Sequence, residues 1–193
     1  MTKTQLYLKS FYLMFSLCAG AFFILSSLVL FIVSDARSNP AWPIFSLAIG
    51  AILIYSFYRT LKKSKEKTEN IINSYICNNF MPTNGYEIKI LDIGKYVGID
   101  IKNGTILLLS TTDSIFKGVS TSELTGYECR GNMLTLKFNN VYLPYFKIHT
   151  GSESKCMDFG HKLDVILSSS YRPENESGNN FGEFVRNKSL AYS

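Results

Sequence analysis

Two long stretches near the start of the chain carry no charge, and beyond them apolar and polar residues begin to alternate. The first, FYLMFSLCAGAFFILSSLVLFIV, runs 23 residues from Phe11 to Val33. As a helix it reaches about 34 Å, against a bilayer hydrocarbon core of roughly 30 Å. The second, WPIFSLAIGAILIYSFY, runs 17 residues from Trp42 to Tyr58, near the lower limit for a span. The short polar link SDARSNPA, with Pro40, separates them, so the pattern predicts a helical hairpin. Uncharged runs of this length are rare in soluble cores. Lys3 and Lys9 before the first run fit the start of a signal peptide, but the run exceeds the usual apolar core and lacks a small-x-small cleavage site. FSLCA around Cys18 departs from a lipoprotein acylation site at Phe15 and Leu17.

After Tyr58 the chain reads as a water-soluble domain. SKEKTENIINSYICNNF continues the helix, with Ile71, Ile72, Tyr75, Ile76 and Phe80 on one stripe that predicts docking on its own domain. Met81-Pro82-Thr83-Asn84-Gly85 stops it. From Tyr86 to Leu91 the period becomes that of a strand. Val97, Ile99 and Ile101 then alternate with Gly98, Asp100 and Lys102, and Asn103-Gly104 predicts a two-residue turn into Thr105 to Ser110. A short strand near Ile115 to Val119 follows. Gly131-Asn132 predicts a second hairpin, between Leu124 to Cys129 and Met133 to Phe138. In VYLPYFKIHT, Phe146 and Ile148 face opposite to Lys147 and His149. The sum is about seven strands in meander order. Thr150 and Glu153 then suggest a capping box for a helix with Cys156, Phe159, Leu163, Ile166 and Leu167 on one face and Lys155, Asp158, Lys162 and Asp164 on the other. The expected organisation is a transmembrane hairpin (1–58, spans 11–33 and 42–58), a basic juxtamembrane segment and helix (59–85), a β-rich domain with its helix (86–167) and a disordered tail (168–193). Within that tail FGEFV, Phe181 to Val185, reads alternatively as a short docking motif.

Charge sets the orientation. The chain is +5 overall, from 20 basic and 15 acidic residues. Lys3 and Lys9 precede the first span and only Arg37, beside Asp35, lies between the spans. Arg59, Lys62, Lys63, Lys65 and Lys67 follow the second. By the positive-inside rule both termini face the cytoplasm, giving a multi-pass protein of the cytoplasmic (inner) membrane. The flanking cations suit anionic lipid headgroups. From Thr68 to Ser193 the count is 12 basic against 13 acidic residues, or −1, so a nucleic-acid partner is not expected. Cys18, Cys77, Cys129 and Cys156 have no paired spacing, which reads as a reducing compartment. In that compartment the sequons at Asn103, Asn175 and Asn187 carry no meaning.

Candidate chemistry is sparse. Ser16 and Gly20, and Ser46 and Gly50, each make a small-xxx-small step that allows close helix approach, and a homo-oligomer through the hairpin is one use of it. The spans hold no ionisable residue, which argues against a transporter or proton path. With two histidines, His149 and His161, few metal or triad arrangements exist, and Cys156-x4-His161 is not a usual zinc spacing. Cys156 on an apolar face reads as a buried structural thiol. Gly94, Gly98 and Gly104 belong to strands and turns and do not form a phosphate loop. Asp92, Asp100 and Asp113 at strand ends read as solvated. No catalytic residue, metal ligand or cofactor site is expected.

Seven short strands closed by one helix, over Tyr86 to Leu167, resemble the pleckstrin-homology-like superfold, in which the helix caps a bent antiparallel sheet or partly open barrel. GIDIKNGTILLL, TSELTGYEC and LPYFKI also resemble uncharacterised bacterial inner-membrane proteins carrying such a domain, found among plasmid and phage accessory genes. The resemblance implies a membrane-anchored α+β protein that binds peptides, proteins or lipid headgroups. Two functional expectations follow. One is a non-enzymatic module presenting a cytoplasmic domain to a membrane-associated protein partner, as an accessory or exclusion protein of a mobile element. The alternative is an anionic-lipid or signal sensor, using Arg59 to Lys67 with Lys95, Lys102 and Lys117.

Overall fold

The computed structural model describes residues 3–33, 41–175 and 178–190. The expected link carrying Asp35, Arg37 and Pro40 lies outside the described residues, as do 176–177 and 191–193 of the tail. The chain is α+β and divides into two compact units, Met1–Glu66 and Lys67–Ser193.

The first unit pairs α1 (Lys3–Val33) with the first part of α2 (Ala41–Ser74). Partners step in opposite directions along the two helices, as an antiparallel hairpin requires. Tyr12 Oη lies 2.8 Å from Ser56 Oγ, Ser46 Oγ donates to the Phe23 carbonyl at 2.9 Å, and Ser27 Oγ donates to the Pro43 carbonyl at 2.8 Å. Pro43 sits in the first turn of α2, where a missing N–H costs nothing. Both helices are long and apolar enough to cross a membrane. Their outer faces stay exposed, with Phe11 at 73% and Ile32 at 84%.

The second unit is built on two antiparallel sheets. The first orders β1 (Glu87–Ile90), β2 (Lys95–Asp100), β3 (Thr105–Ser110) and β4 (Ile115–Ser120) as neighbours; the second orders β5 (Leu124–Arg130), β6 (Met133–Phe138) and β7 (Tyr145–His149). A single 3-10 turn, Thr121–Glu123, carries the chain between them. Ser120 and Glu123 close a capping box there, the Ser120 amide donating to the Glu123 carboxylate at 3.0 Å. α3 (Glu153–Leu167) and α4 (Gly178–Ser189) follow.

Strand boundaries agree closely with the alternation in the sequence, but two features differ. Asp100 pairs with Thr105, so the β2–β3 loop has four residues, Ile101 to Gly104, and Ile101 is not in the strand. The β1–β2 and β3–β4 loops have the same length, and Gly94, Gly104 and Ser114 each take the left-handed conformation at the last position, with φ of 66°, 62° and 54°. A four-residue loop of this kind is a common alternative to the two-residue turn. The β5–β6 hairpin does have the expected two-residue turn, with Gly131 (φ 56°) at the position where a type II′ turn favours glycine. The helix cap also shifts: Ser152, not Thr150, accepts from the Lys155 amide at 3.3 Å and caps α3. Thr150 Oγ1 instead donates to the Asn132 and Ser152 carbonyls.

Two cores lie on opposite faces of the first sheet. On one, Val97, Ile99, Ile106, Leu108 and Val119 meet Leu134, Leu136, Phe146 and Ile148 of the second sheet and Phe159, Leu163 and Ile166 of α3. On the other, Tyr96, Leu107 and Leu109 are covered by Ile71, Ile72, Tyr75 and Phe80 and by Phe181 and Val185 of α4. All six residues of β3 are therefore buried, which is why TILLLS reads as an unbroken apolar run rather than an alternation. The stripe after the basic segment docks on its own domain, although the helix ends at Ser74 rather than Phe80 and Ile76 stays exposed. Cys77 and Phe80 close the following tight turn through paired backbone bonds of 3.0 and 2.9 Å.

The expectation of a disordered tail is corrected over its described part. Tyr171 Oη donates to the Ile101 carbonyl at 2.8 Å, and α4 lays Phe181 on Phe80 with ring centroids 4.9 Å apart. A Cβ at Gly118 would come within 2.8 Å of the Phe181 ring, and one at Gly182 within 3.1 Å of the Gly118 carbonyl. The two glycines bring helix and strand into close approach. Lys188 then donates to the Ser74 carbonyl at the end of α2, and its ammonium lies over the rings of Tyr75 and Phe184, at 5.7 and 5.3 Å from their centroids. A cation at a helix C-terminus is favourable with the helix dipole. FGEFV thus docks, and its partner is its own domain.

Candidate interaction surface

The outer face of the second sheet is open and polar, because the pleat sends its apolar residues inward. Three cross-strand rows make this face: Arg130, Met133 and His149; Glu128, Thr135 and Lys147; Gly126, Lys137 and Tyr145. Glu128 bonds Arg130 and lies 3.5 Å from Lys137. The Arg130 guanidinium holds its carboxyl below the usual value. Lys147 lies over the Tyr145 ring at 5.6 Å. These side chains frame a shallow cleft of about 460 Å³ with a basic excess.

The β6–β7 loop, residues 139 to 144, projects beside this face. Its base is fastened: the Phe138 amide donates to the Pro144 carbonyl at 2.9 Å, the Asn139 amide to the Glu123 carbonyl at 2.8 Å, and Asn140 Nδ2 to Glu123 Oε2 at 3.1 Å. Asn140 Oδ1 accepts from Lys117 Nζ and from the Tyr142 amide, both at 3.1 Å. Lys117 Nζ also stands 5.8 Å from the Tyr142 ring centroid. At the tip, Val141 is 93% and Tyr142 92% exposed.

The residues singled out from the sequence fall in separate places. Arg59, Lys62, Lys63, Lys65 and Lys67 are all exposed on α2. At 100° per residue they spread over roughly 200° of the helix, a collar rather than a stripe. Lys62 lies 3.9 Å from Glu66. Gly20 and Gly50 face one another: a Cβ at Gly50 would meet the Gly20 carbonyl at 3.0 Å. Ser46 bonds α1, and Ser16 is buried and donates to the Leu13 carbonyl. The small residues thus close the hairpin on itself. Lys95 and Lys102 pair with Asp113 at 3.1 Å and Glu174 at 3.3 Å, whereas Lys117 joins the loop just described.

Other candidates are structural. Asp100 is buried, contrary to the solvated reading, and accepts from the Met81, Lys102 and Asn103 amides and from Asn103 Nδ2 at 2.7 to 3.0 Å. Asp92 and Asp113 lie in loops at the other end of the sheet. Cys129 and Cys156, read as unpaired, form a disulfide with Cα atoms 6.0 Å apart. Their 27-residue separation hides the pairing, which arises because α3 packs on β5. The same packing brings Gly160 under the Tyr127 ring and Tyr127 Oη to Asp164 at 2.9 Å. A second cleft, of about 440 Å³, is lined by hydroxyls of Ser120, Thr121, Ser122 and Tyr171 with Arg172 and, among the described residues, by no carboxylate or histidine. His161 lies 3.8 Å from Asp164, and the described residues contain no group of three His, Cys, Asp or Glu placed to hold a metal. No known protein family, curated protein or solved structure matches the chain.

Proposed function

We propose that the chain is a multi-pass inner-membrane protein whose hairpin anchors a non-enzymatic, pleckstrin-homology-like interaction domain. The observation that carries the anchor is the apolar exposure of α1 and α2 along their outer faces, which in water would be an aggregation liability and in lipid is solvated. The arrangement of four strands, three strands and α3 supports the likeness to that superfold. The lysine and arginine count on the flanks supports an orientation with both termini in the cytoplasm. The Cys129–Cys156 disulfide of the structure counts against that side, because disulfides persist in oxidising compartments, so the orientation requires the pair to be reduced in cells. The bonded state belongs to an exported domain, so the redox state of this pair in cells discriminates the two sides.

The outer face of β5–β6–β7 is the surface proposed to receive a membrane-associated protein partner with an acidic patch. Arg130, Lys137 and Lys147 outnumber Glu128 there, and Met133 and Tyr145 supply apolar area among them. A photo-crosslinking residue at Thr135 of the full-length protein in its native membrane is expected to capture one protein, while the same probe at Lys102 does not. Reversing charge at Arg130 and Lys147 is expected to abolish the adduct. Equal capture at Thr135 and Lys102, or an adduct indifferent to charge reversal, would contradict this surface.

A further inference from the structure

A tyrosine and a valine almost wholly in water, at the tip of a loop whose base is fastened by hydrogen bonds, need a reason. We propose that the β6–β7 loop docks on an anionic lipid bilayer, with Val141 and Tyr142 entering the interface and Lys117 and Lys137 facing the headgroups. This rests on the membrane-anchored reading above and adds a second, reversible contact to that of the hairpin.

Three observations favour lipid over other occupants. The tip pairs an aliphatic with an aromatic residue, and tyrosine concentrates at the membrane–water boundary because its ring is apolar and its hydroxyl is not. Lys117 is held over the Tyr142 ring and on Asn140, so its cation is already beside the residue that inserts. Lys137 is exposed in the same row as Tyr145, next to the loop in the chain. The nearby Glu123 carboxylate accepts from the Ser120 and Asn140 donors, and Glu128, 3.5 Å from Lys137, is shared with Arg130, so the surroundings of the tip keep a basic excess. The loop base does not have to order on binding, so the entropic cost is small. The cytoplasmic leaflet supplies the matching negative surface, and the attraction fades within a Debye length, about 8 Å at physiological salt.

The test uses the full-length protein in vesicles of phosphatidylcholine, with or without about one third phosphatidylglycerol, and brominated lipids as quenchers. The wild-type chain has one tryptophan, Trp42 at the head of α2, which reports the anchor. A Trp42→Phe, Tyr142→Trp double variant moves the probe to the loop, where the exposure of Tyr142 makes the exchange harmless to folding. Circular dichroism checks this. The expected result is quenching of Trp42 in both lipid mixtures, and quenching with a blue shift at position 142 only with phosphatidylglycerol. The shift is expected to be lost in about 0.5 M salt, where the Debye length falls to a few ångströms. Adding Lys117→Glu and Lys137→Glu is expected to weaken docking about five-fold or more for each lysine.

A water-like signal at position 142 in both mixtures, with Trp42 quenched, overturns the docking proposal and leaves the anchor standing. Unquenched Trp42 overturns both. Equal quenching at position 142 without anionic lipid overturns the role given to the lysines. Protection of that position only on adding a cellular membrane-protein fraction assigns the loop to a protein and overturns the lipid proposal.

Discussion

Asp100 ties together two stretches of backbone, because its carboxylate accepts from the Met81 amide and from the four-residue loop that follows β2. Asp100→Ala would leave several buried donors without an acceptor, and is expected to cost about 3 kcal/mol or more in thermal or denaturant unfolding of the detergent-solubilised protein. Tyr96 makes a pH-dependent contribution. Burial, then the Glu87 carboxylate, which accepts from its hydroxyl at 3.2 Å, push the phenol far above its usual value of 10.0. A raised phenol pKa means that the native state favours the protonated form. Its contribution is therefore present below about pH 10 and lost as pH rises beyond it. Tyr96→Phe is expected to flatten the alkaline fall of stability measured between about pH 9 and 12. The sequence displays Asp100 at a strand end but not its burial, since the segment that covers it, around Met81 and Thr83, reads in the sequence only as a helix stop.

At the scale of elements, the strands are the most legible part. Alternation and the Gly131-Asn132 turn predict β5 and β6 almost to the residue, and Phe146 and Ile148 do point inward in β7. The ten-residue interval between Gly94, Gly104 and Ser114 is the signal for the repeated four-residue loops, and it is masked because Asn103-Gly104 alone matches a shorter turn. α4 is illegible for a different reason. Its apolar residues are few, and the groove that receives them exists only once Leu107 and Gly118 align across β3 and β4. Gly118→Val is expected to displace α4, with an overpacking cost of about 1 to 3 kcal/mol. Phe181→Ala, which leaves Phe80 without its stacked ring, is expected to cost about 3 to 5 kcal/mol. In both variants limited proteolysis is expected to cleave first within 171–190; an unchanged cleavage pattern would contradict the packing of α4 as a structural cover.

For the whole molecule, the division at the basic collar is plain in the sequence, since charge and apolar runs segregate along the chain. The candidate surface is not, because its members, Arg130, Thr135, Lys137 and Lys147, come from three strands and meet only through the register. The disulfide is hidden for the same reason. It also links fold to location: a domain on the cytoplasmic side is expected to yield four alkylatable cysteines when cells are quenched in acid and the protein is denatured, an exported one two. The most direct test of the central account is a pair of C-terminal fusions to full-length protein in living bacteria, one to green fluorescent protein and one to alkaline phosphatase. Both termini in the cytoplasm predict bright fluorescence with an inactive phosphatase. Active phosphatase with dark fluorescent protein would place the β domain outside, contradict the orientation read from Arg59 to Lys67, and leave Cys129–Cys156 as an exported disulfide.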